Sequence, residues 1–248
     1  MSDHSYYIFY KPYDVLNQFT KERPEHVTLG DYLKVEKDVY PVGRLDKDSE
    51  GLLILTNDKQ LNEKLLSPVY KHSRTYFVQV DDDITLKAVE RVAEGVEIKL
   101  DSGPYFTKPC KARKLPKAPV LPERNPPIRF RKEIPTSWVK IELGEGKNRQ
   151  IRKMFAAVGF PVLRLVRVQI EDIKLGDMMP GQYKSLSKEE IYKLLHIDPN
   201  AKKPVKQTPL PTIKKTNTAT SRPATKSRQP GTRKPAPGNP SRRPGRKK

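Results

Sequence analysis

Apolar and polar positions fall into short runs broken by turn residues, the pattern of strands interleaved with brief helices. Tyr6-Tyr7-Ile8-Phe9-Tyr10 is aromatic and β-prone and is closed by Lys11-Pro12, which predicts a first strand. Thr28 with Asp31 has the form of a capping box opening a short helix through Tyr32 and Leu33. Leu52 to Thr56 is a continuous apolar strand, after which Asn57 and Gln60 give the same start signal and Leu61, Leu65 and Leu66 share a helical face. From Arg74 to Val80 the chain alternates, with Thr75, Phe77 and Gln79 on one face and Tyr76, Val78 and Val80 on the other. Thr85 caps a helix bearing Leu86, Val89, Val92 and Ala93 that Gly95 ends, and Val96 to Leu100 reads as a strand. Ser137 to Leu143 and residues 162 to 170 are further strands, and Ser187 with Glu190 caps a last helix carrying Ile191, Leu194 and Leu195. No regular βαβ repeat, dinucleotide fingerprint or internal repeat is present. The prediction is an α+β fold with a mixed, largely antiparallel central sheet flanked by helices.

Composition changes the picture at the carboxyl end. The 248 residues carry a formal charge of +20, and fifteen of the Lys and Arg residues lie between Pro199 and Lys248, where there is no Asp or Glu. Residues 1–198 hold 34 basic and 29 acidic groups, an ordinary mildly basic domain. The tail, 199–248, has almost nothing apolar to bury and many prolines, so it is expected to be disordered in isolation. Its charge suits polyphosphate, since each neutralised phosphate releases condensed counterions. A purely solubilising tail is the plainer alternative. One cysteine, Cys110, excludes an internal disulfide and a Cys-based zinc site, and His4, His26, His72 and His196 show no ligand spacing. No signal segment opens the chain and no run approaches the ~20 apolar residues that span a bilayer, so a cytoplasmic protein without a membrane partner is expected.

Three stretches carry candidate chemistry. Pro41-Val42-Gly43-Arg44-Leu45-Asp46-Lys47-Asp48-Ser49-Glu50-Gly51 is a polar loop with three acids set directly before a buried strand, the kind of place where rigid elements present reactive side chains. Taken alone, Asp46 reads as an ordinary turn or capping aspartate. Residues 108 to 133 hold nine basic groups against Glu123 and Glu133, with six prolines, and read as a long basic finger or a solvated excursion. In Gly144-Glu145-Gly146-Lys147-Asn148-Arg149-Gln150-Ile151-Arg152-Lys153-Met154 the glycines are too close together for a phosphate loop. Ile151, Met154, Phe155 and Val158 occupy one helical face and leave Arg149, Arg152 and Lys153 on another, before Gly159 stops the helix.

These strings have a family likeness. Gly43-Arg44-Leu45-Asp46 with Ser49-Glu50-Gly51-Leu52-Leu53 and Thr56-Asn57-Asp58 resembles the signature loop of the pseudouridine synthases that modify ribosomal RNA. Gly146-Lys147-Asn148-Arg149-Gln150-Ile151-Arg152, followed by Gly159-Phe160-Pro161 and Arg164-Leu165-Val166-Arg167, resembles a later motif of the same family. The likeness runs from Ile8 to about Ile173. Lys11-Pro12-Tyr13-Asp14-Val15-Leu16, Arg124-Asn125-Pro126-Pro127-Ile128-Arg129 and Ile134-Pro135-Thr136-Ser137-Trp138 are most similar to the large-subunit branch of type E, which lacks an amino-terminal RNA-binding module.

The resemblance implies an isomerase that converts one uridine of large-subunit (23S) ribosomal RNA to pseudouridine in a basic cleft. It needs no cofactor or metal, and a monomer is the default. Asp46 matches the catalytic carboxylate, acting as nucleophile or base at the ribose. Arg152, with Arg149 in reserve, is expected to hold Asp46 ionised. Tyr76 matches a tyrosine that stacks on the target base, Leu165 a residue that packs beside the site, and Arg44, Lys11 and the finger are expected to contact the extruded nucleotide. Three alternatives stay open: a synthase for another RNA, a glycoside hydrolase or nucleosidase recruiting Asp48 or Glu50, and a non-catalytic ribosome-assembly protein that binds rRNA. The charge of the tail yields a test of its own. Removing residues 199–248 should weaken RNA binding at low salt and flatten its salt dependence in a filter-binding titration, whereas identical isotherms would exclude the tail from RNA recognition.

Overall fold

The apolar runs become strands of one mixed sheet. The computed structural model describes residues 4–67, 69–128 and 134–200. In chain order its elements are β1 (Tyr6–Lys11), β2 (Tyr40–Pro41), β3 (Glu50–Thr56), α1 (Lys59–Leu66), β4 (Arg74–Asp81), α2 (Leu86–Glu94), β5 (Glu97–Leu100), β6 (Gly103–Phe106), β7 (Lys111–Leu115), β8 (Thr136–Leu143), α3 (Gln150–Ala157), β9 (Val162–Ile170), β10 (Ile173–Lys174), β11 (Tyr183–Ser185) and α4 (Lys188–Leu194). The large sheet runs β11-β1-β3-β9-β4-β8-β7, with β2 added to β3 and β10 to β9, while β5 and β6 form a separate hairpin. Its pairings are antiparallel except β3 with β9. The fold is therefore α+β with a mixed, largely antiparallel sheet, as the sequence predicts. The predicted tail lies outside the described residues from position 201 onward.

Strand β3 explains why its sequence reads as an unbroken apolar run: all seven residues are buried, because both sheet faces are covered there. Leu52 and Ile54 pack with Tyr6, Ile8 and Tyr10 and with Ile191 of α4. Leu53 and Leu55 pack on the other side with Phe9, Leu29 and Leu33. A further core joins Val78, Val80, Val139 and Ile141 of β4 and β8 to Val89 and Val92 of α2 and to Met154 and Phe155 of α3.

The structure moves several expected boundaries. The helix expected from Thr28 is a single 3₁₀ turn, Leu29–Asp31, although Asp31 does reach back to the Thr28 amide at 2.8 Å. Helix α1 is capped by Asp58 rather than Asn57. Asp58 Oδ1 accepts from the Gln60 and Leu61 amides while Oδ2 accepts from the hydroxyls of Tyr6 and Tyr192, a load that only a carboxylate can carry. Asn57 instead accepts from the Ser5 amide and donates to Asp38. Leu86, expected on the buried face of α2, is exposed at its first turn. The largest change concerns the basic finger. Residues 111–115 form β7 and pair with β8 from Lys111↔Glu142 to Leu115↔Trp138, so the irregular excursion begins only at Pro116, and positions 129–133 lie outside the described residues. Lysine and arginine suit such an edge strand because they discourage pairing with another chain.

One glycine is required by this topology. Gly51 has φ +106°, and a Cβ there would lie 2.2 Å from the carbonyl oxygen of Arg167, its parallel partner on β9. Gly51→Ala is expected to cost about 1–3 kcal/mol from backbone strain alone, with the collision added, and a urea melt that matches the parent protein would refute this reading of the β3–β9 junction.

Candidate active site

The polar loop before β3 forms one side of a cavity of about 510 Å³. Val42, Arg44, Leu45 and Asp46 line it from the loop, Leu65 and Leu66 from α1, and Tyr76 and Leu165 from the sheet. The opposite wall is the segment from Gly144 to Ile151 together with Tyr105 and Lys108. Seven Lys or Arg residues line the space (Arg44, Lys71, Arg74, Lys108, Lys147, Arg149 and Arg167) against two acids, Asp46 and Glu145. Such an excess concentrates polyanions, and nucleic acid is the polyanion whose bases also use aromatic walls.

Asp46, Arg44, Tyr76, Leu165 and Arg149 are thus brought together as expected, whereas Arg152 and Lys11 are not. The expectation that Arg152 holds Asp46, with Arg149 in reserve, is reversed by the geometry. Arg149 Nη1 lies 3.8 Å from Asp46 Oδ2, while Arg152 engages Asp48, its Nε 3.3 Å from Oδ2 and its Nη2 donating to the backbone oxygen at 2.6 Å. Arg149 is also not a residue of the helix: it is the N-cap of α3 in the left-handed region, φ 51° and ψ 31°. A non-glycine residue held there is strained, and this one turns its guanidinium toward the acid loop. Arg152, set by the sequence on the basic face of the helix, is mostly buried against the loop.

The three acids of the loop occupy three different environments. Glu50 is buried and paired through both oxygens with Arg164 at 2.9 and 2.8 Å. Asp48 takes the Arg149 fork at 2.9 and 2.8 Å. Burial raises the Asp48 pKa, but the hydrogen bonds from Arg149 and the charges of Arg152 and Arg149 outweigh it and hold the carboxyl below its ordinary value. Asp46 and Asp48 are about equally exposed, at 33% and 32%, but of the three only Asp46 lines the cavity, and it meets a cation only at ion-pair distance.

Lys11, expected to contact the extruded nucleotide, instead has no exposed surface. Its ammonium lies beneath the loop and donates to the carbonyls of Pro12, Lys47 and Ser49 at 2.9, 3.2 and 2.8 Å. Five cavity cations, Lys71, Arg74, Lys108, Lys147 and Arg167, were not singled out as site residues from the sequence, and two of them stand on strands. Arg167 donates Nε to Leu52 O at 2.7 Å and leaves Nη2 buried without a partner among the described residues. Arg74 donates to the backbone of His72 and Leu65. The signal was strand alternation: Arg167 lies two residues from Leu165, and Arg74 two from Tyr76, on the faces those residues share.

The family model described as RNA pseudouridylate synthase matches residues 5–157. Ribosomal large subunit pseudouridine synthase E of Vibrio parahaemolyticus is 51% identical over 179 residues, 72% of each chain. The protein of the same name from Xanthomonas campestris is 44% identical over 175 residues, 70% of this chain and 91% of that one. The crystal structure of a pseudouridylate synthase, 26% identical, superposes with a TM-score of 0.63 and covers 78% of this chain and 75% of that one. The chain belongs to the RNA pseudouridylate synthase family. Within that family the large-subunit synthases of type E match it over 175 to 179 residues, and an isomerase is favoured over the hydrolase and the non-catalytic binding protein.

The buried lysine gives this site a pH signature. Burial pushes the Lys11 pKa down from 10.5 to about 8, against the opposing pull of Glu50, Asp48, Asp14 and Asp46. Between those two values the unfolded chain holds a proton that the folded chain has released, so the contribution of Lys11 to stability grows as pH rises from about 8. In denaturant melts at a series of pH values, the parent should gain stability relative to Lys11→Met across that window. A parallel pair of curves would mean that the ammonium is not desolvated under the loop.

Proposed function

We propose that this enzyme isomerises a specific uridine of large-subunit ribosomal RNA, with Asp46 as the reacting carboxylate. The observation that carries the assignment of Asp46 is the sorting of the loop acids: Glu50 and Asp48 are consumed by arginines, and only Asp46 offers oxygens to the cavity. The choice of RNA is supported by the relatives that are 51% and 44% identical, which are named for the large subunit.

In the reaction the N1 to C1′ bond breaks, the uracil turns, and C5 joins the same ribose carbon. C5 gives up a proton and N1 gains one, so atoms balance without water or electrons. A carboxylate beside the ribose can attack C1′ or remove a proton from C2′, and either role requires it ionised. Arg149 at 3.8 Å sets a cation beside Asp46 without occupying both of its oxygens. The target must first leave its stack, at a cost of roughly a few kcal/mol. Tyr76 and Leu165 offer the base an aromatic and an apolar wall, and Arg44, exposed on the loop, offers a cation to the backbone on the way in. Arg152 and Lys11 act through the loop, as positioning residues. A cytoplasmic enzyme, meeting its rRNA there, goes with this proposal.

Asp46→Asn keeps the shape and removes the charge. Turnover on ribosomal RNA is expected to fall by about 10²- to 10⁴-fold or more, measured as pseudouridine formed, while RNA binding changes little. A variant that still modifies RNA at the parental rate would eliminate Asp46 as the reacting group.

A further inference from the structure

The outer wall of the cavity carries chemistry that the isomerisation does not use. Tyr105, on the β5–β6 hairpin, donates its hydroxyl to Glu145 Oε2 at 2.6 Å. Glu145 Oε1 accepts from Gln150 Nε2 at 2.7 Å and from the Lys108 amide at 3.0 Å, and Gln150 Oε1 accepts from the Lys147 amide at 2.9 Å. The phenol is therefore tethered at its tip, and the hairpin is locked to the segment that presents Arg149. Its ring is only partly buried and lines the cavity, with the Lys147 ammonium 5.2 Å from the ring centroid. Lys108 and Lys147 are both exposed on the same wall, and neither makes an ion pair among the described residues.

A fixed aromatic ring beside two available cations is how proteins hold an unpaired nucleotide, with the base stacked on the ring and the phosphate against the charges. The tether matters because a ring already held in place loses little freedom when a base settles on it. We propose that Tyr105, Lys108 and Lys147 form a second nucleotide subsite, which receives an unpaired base flanking the target uridine. In the free enzyme Lys147 rests over the ring. Base stacking on an aromatic is stronger than a solvent-exposed cation–π contact, so the base displaces the ammonium, which then meets the phosphate. The subsite rests on the RNA-modifying reading of the same cavity and adds to it a requirement for a particular unpaired neighbour.

The test uses the full chain and a short stem–loop transcript carrying whichever uridine mapping identifies, so it stands whether or not that uridine lies in the large subunit. Tyr105→Ala is expected to raise KM by about 5- to 150-fold, the equivalent of roughly 1–3 kcal/mol of stacking, with kcat much less affected. Tyr105→Phe, which restores the ring without the hydroxyl, recovers most of the loss. Transcripts made abasic at each nucleotide flanking the target complete a thermodynamic cycle. At one position the abasic transcript loses affinity for the parent enzyme, and Tyr105→Ala adds nothing further. Lys147→Gln lowers the slope of log K against log salt by about 0.7, one single-strand phosphate. The subsite is overturned if Tyr105→Ala costs the same on every abasic transcript, if Tyr105→Phe is as impaired as Tyr105→Ala, or if the salt slope is unmoved by Lys147→Gln.

Discussion

The buried pair of Glu50 and Arg164 fixes the point at which an exposed loop turns into β3, a fully buried inner strand of the sheet. Two charges are removed from water there, and the arrangement holds because both carboxylate oxygens are met and the guanidinium also donates to Pro122 O. Removing either partner of such a pair typically costs about 3–5 kcal/mol, since the other charge is left buried alone. Next along the chain, Gly51 lets β3 lie against the backbone of Arg167 in the one parallel step of the sheet. Asp46 stands four residues before Glu50, so its position depends on this anchor, as does the distance at which Arg149 meets it.

The same constraint separates the loop acids by function. Electrostatics alone would leave Asp46, Asp48 and Glu50 as competing sites for any nearby cation. Burial gives Glu50 to Arg164, a bidentate fork gives Asp48 to Arg149, and Asp46 is left with a longer contact and an open face. A glycoside hydrolase needs a second carboxyl across the bond from the first, free to gain and lose a proton. Asp48 and Glu50 are too heavily engaged for that, whereas an isomerase that needs one carboxylate is well served. The lysine under the loop completes the arrangement by binding three carbonyls that would otherwise point into a dry interior.

Much of this was legible in the sequence where local pattern and tertiary environment agree. Strand β9 was read at its observed limits, and the Thr85 and Ser187 caps form the hydrogen bonds expected of them, because alternation and capping are short-range rules. Failures occurred where a distant partner decides. The basic residues and prolines around β7 concealed a strand that exists through its pairing with β8, more than twenty residues away. Asp58 displaced Asn57 as a cap because two tyrosines, one from β1 and one from α4, converge on its carboxylate. Motif spacing brought both Arg149 and Arg152 to the acid loop but could not divide the acids between them. That division depends on a left-handed residue at the helix start, and only the folded backbone reveals it. Lys11 was misassigned for a similar reason: a lysine near a polar loop reads as a contact to substrate until its burial is known.

The central claim, that one half-open carboxylate in this cation-lined cavity modifies a single large-subunit uridine, is tested most directly by mapping every pseudouridine in ribosomal RNA from cells with and without the protein. The account predicts that one position in the large-subunit RNA reverts to uridine on deletion and returns when the protein is restored. An unchanged pattern across both ribosomal subunits would contradict it.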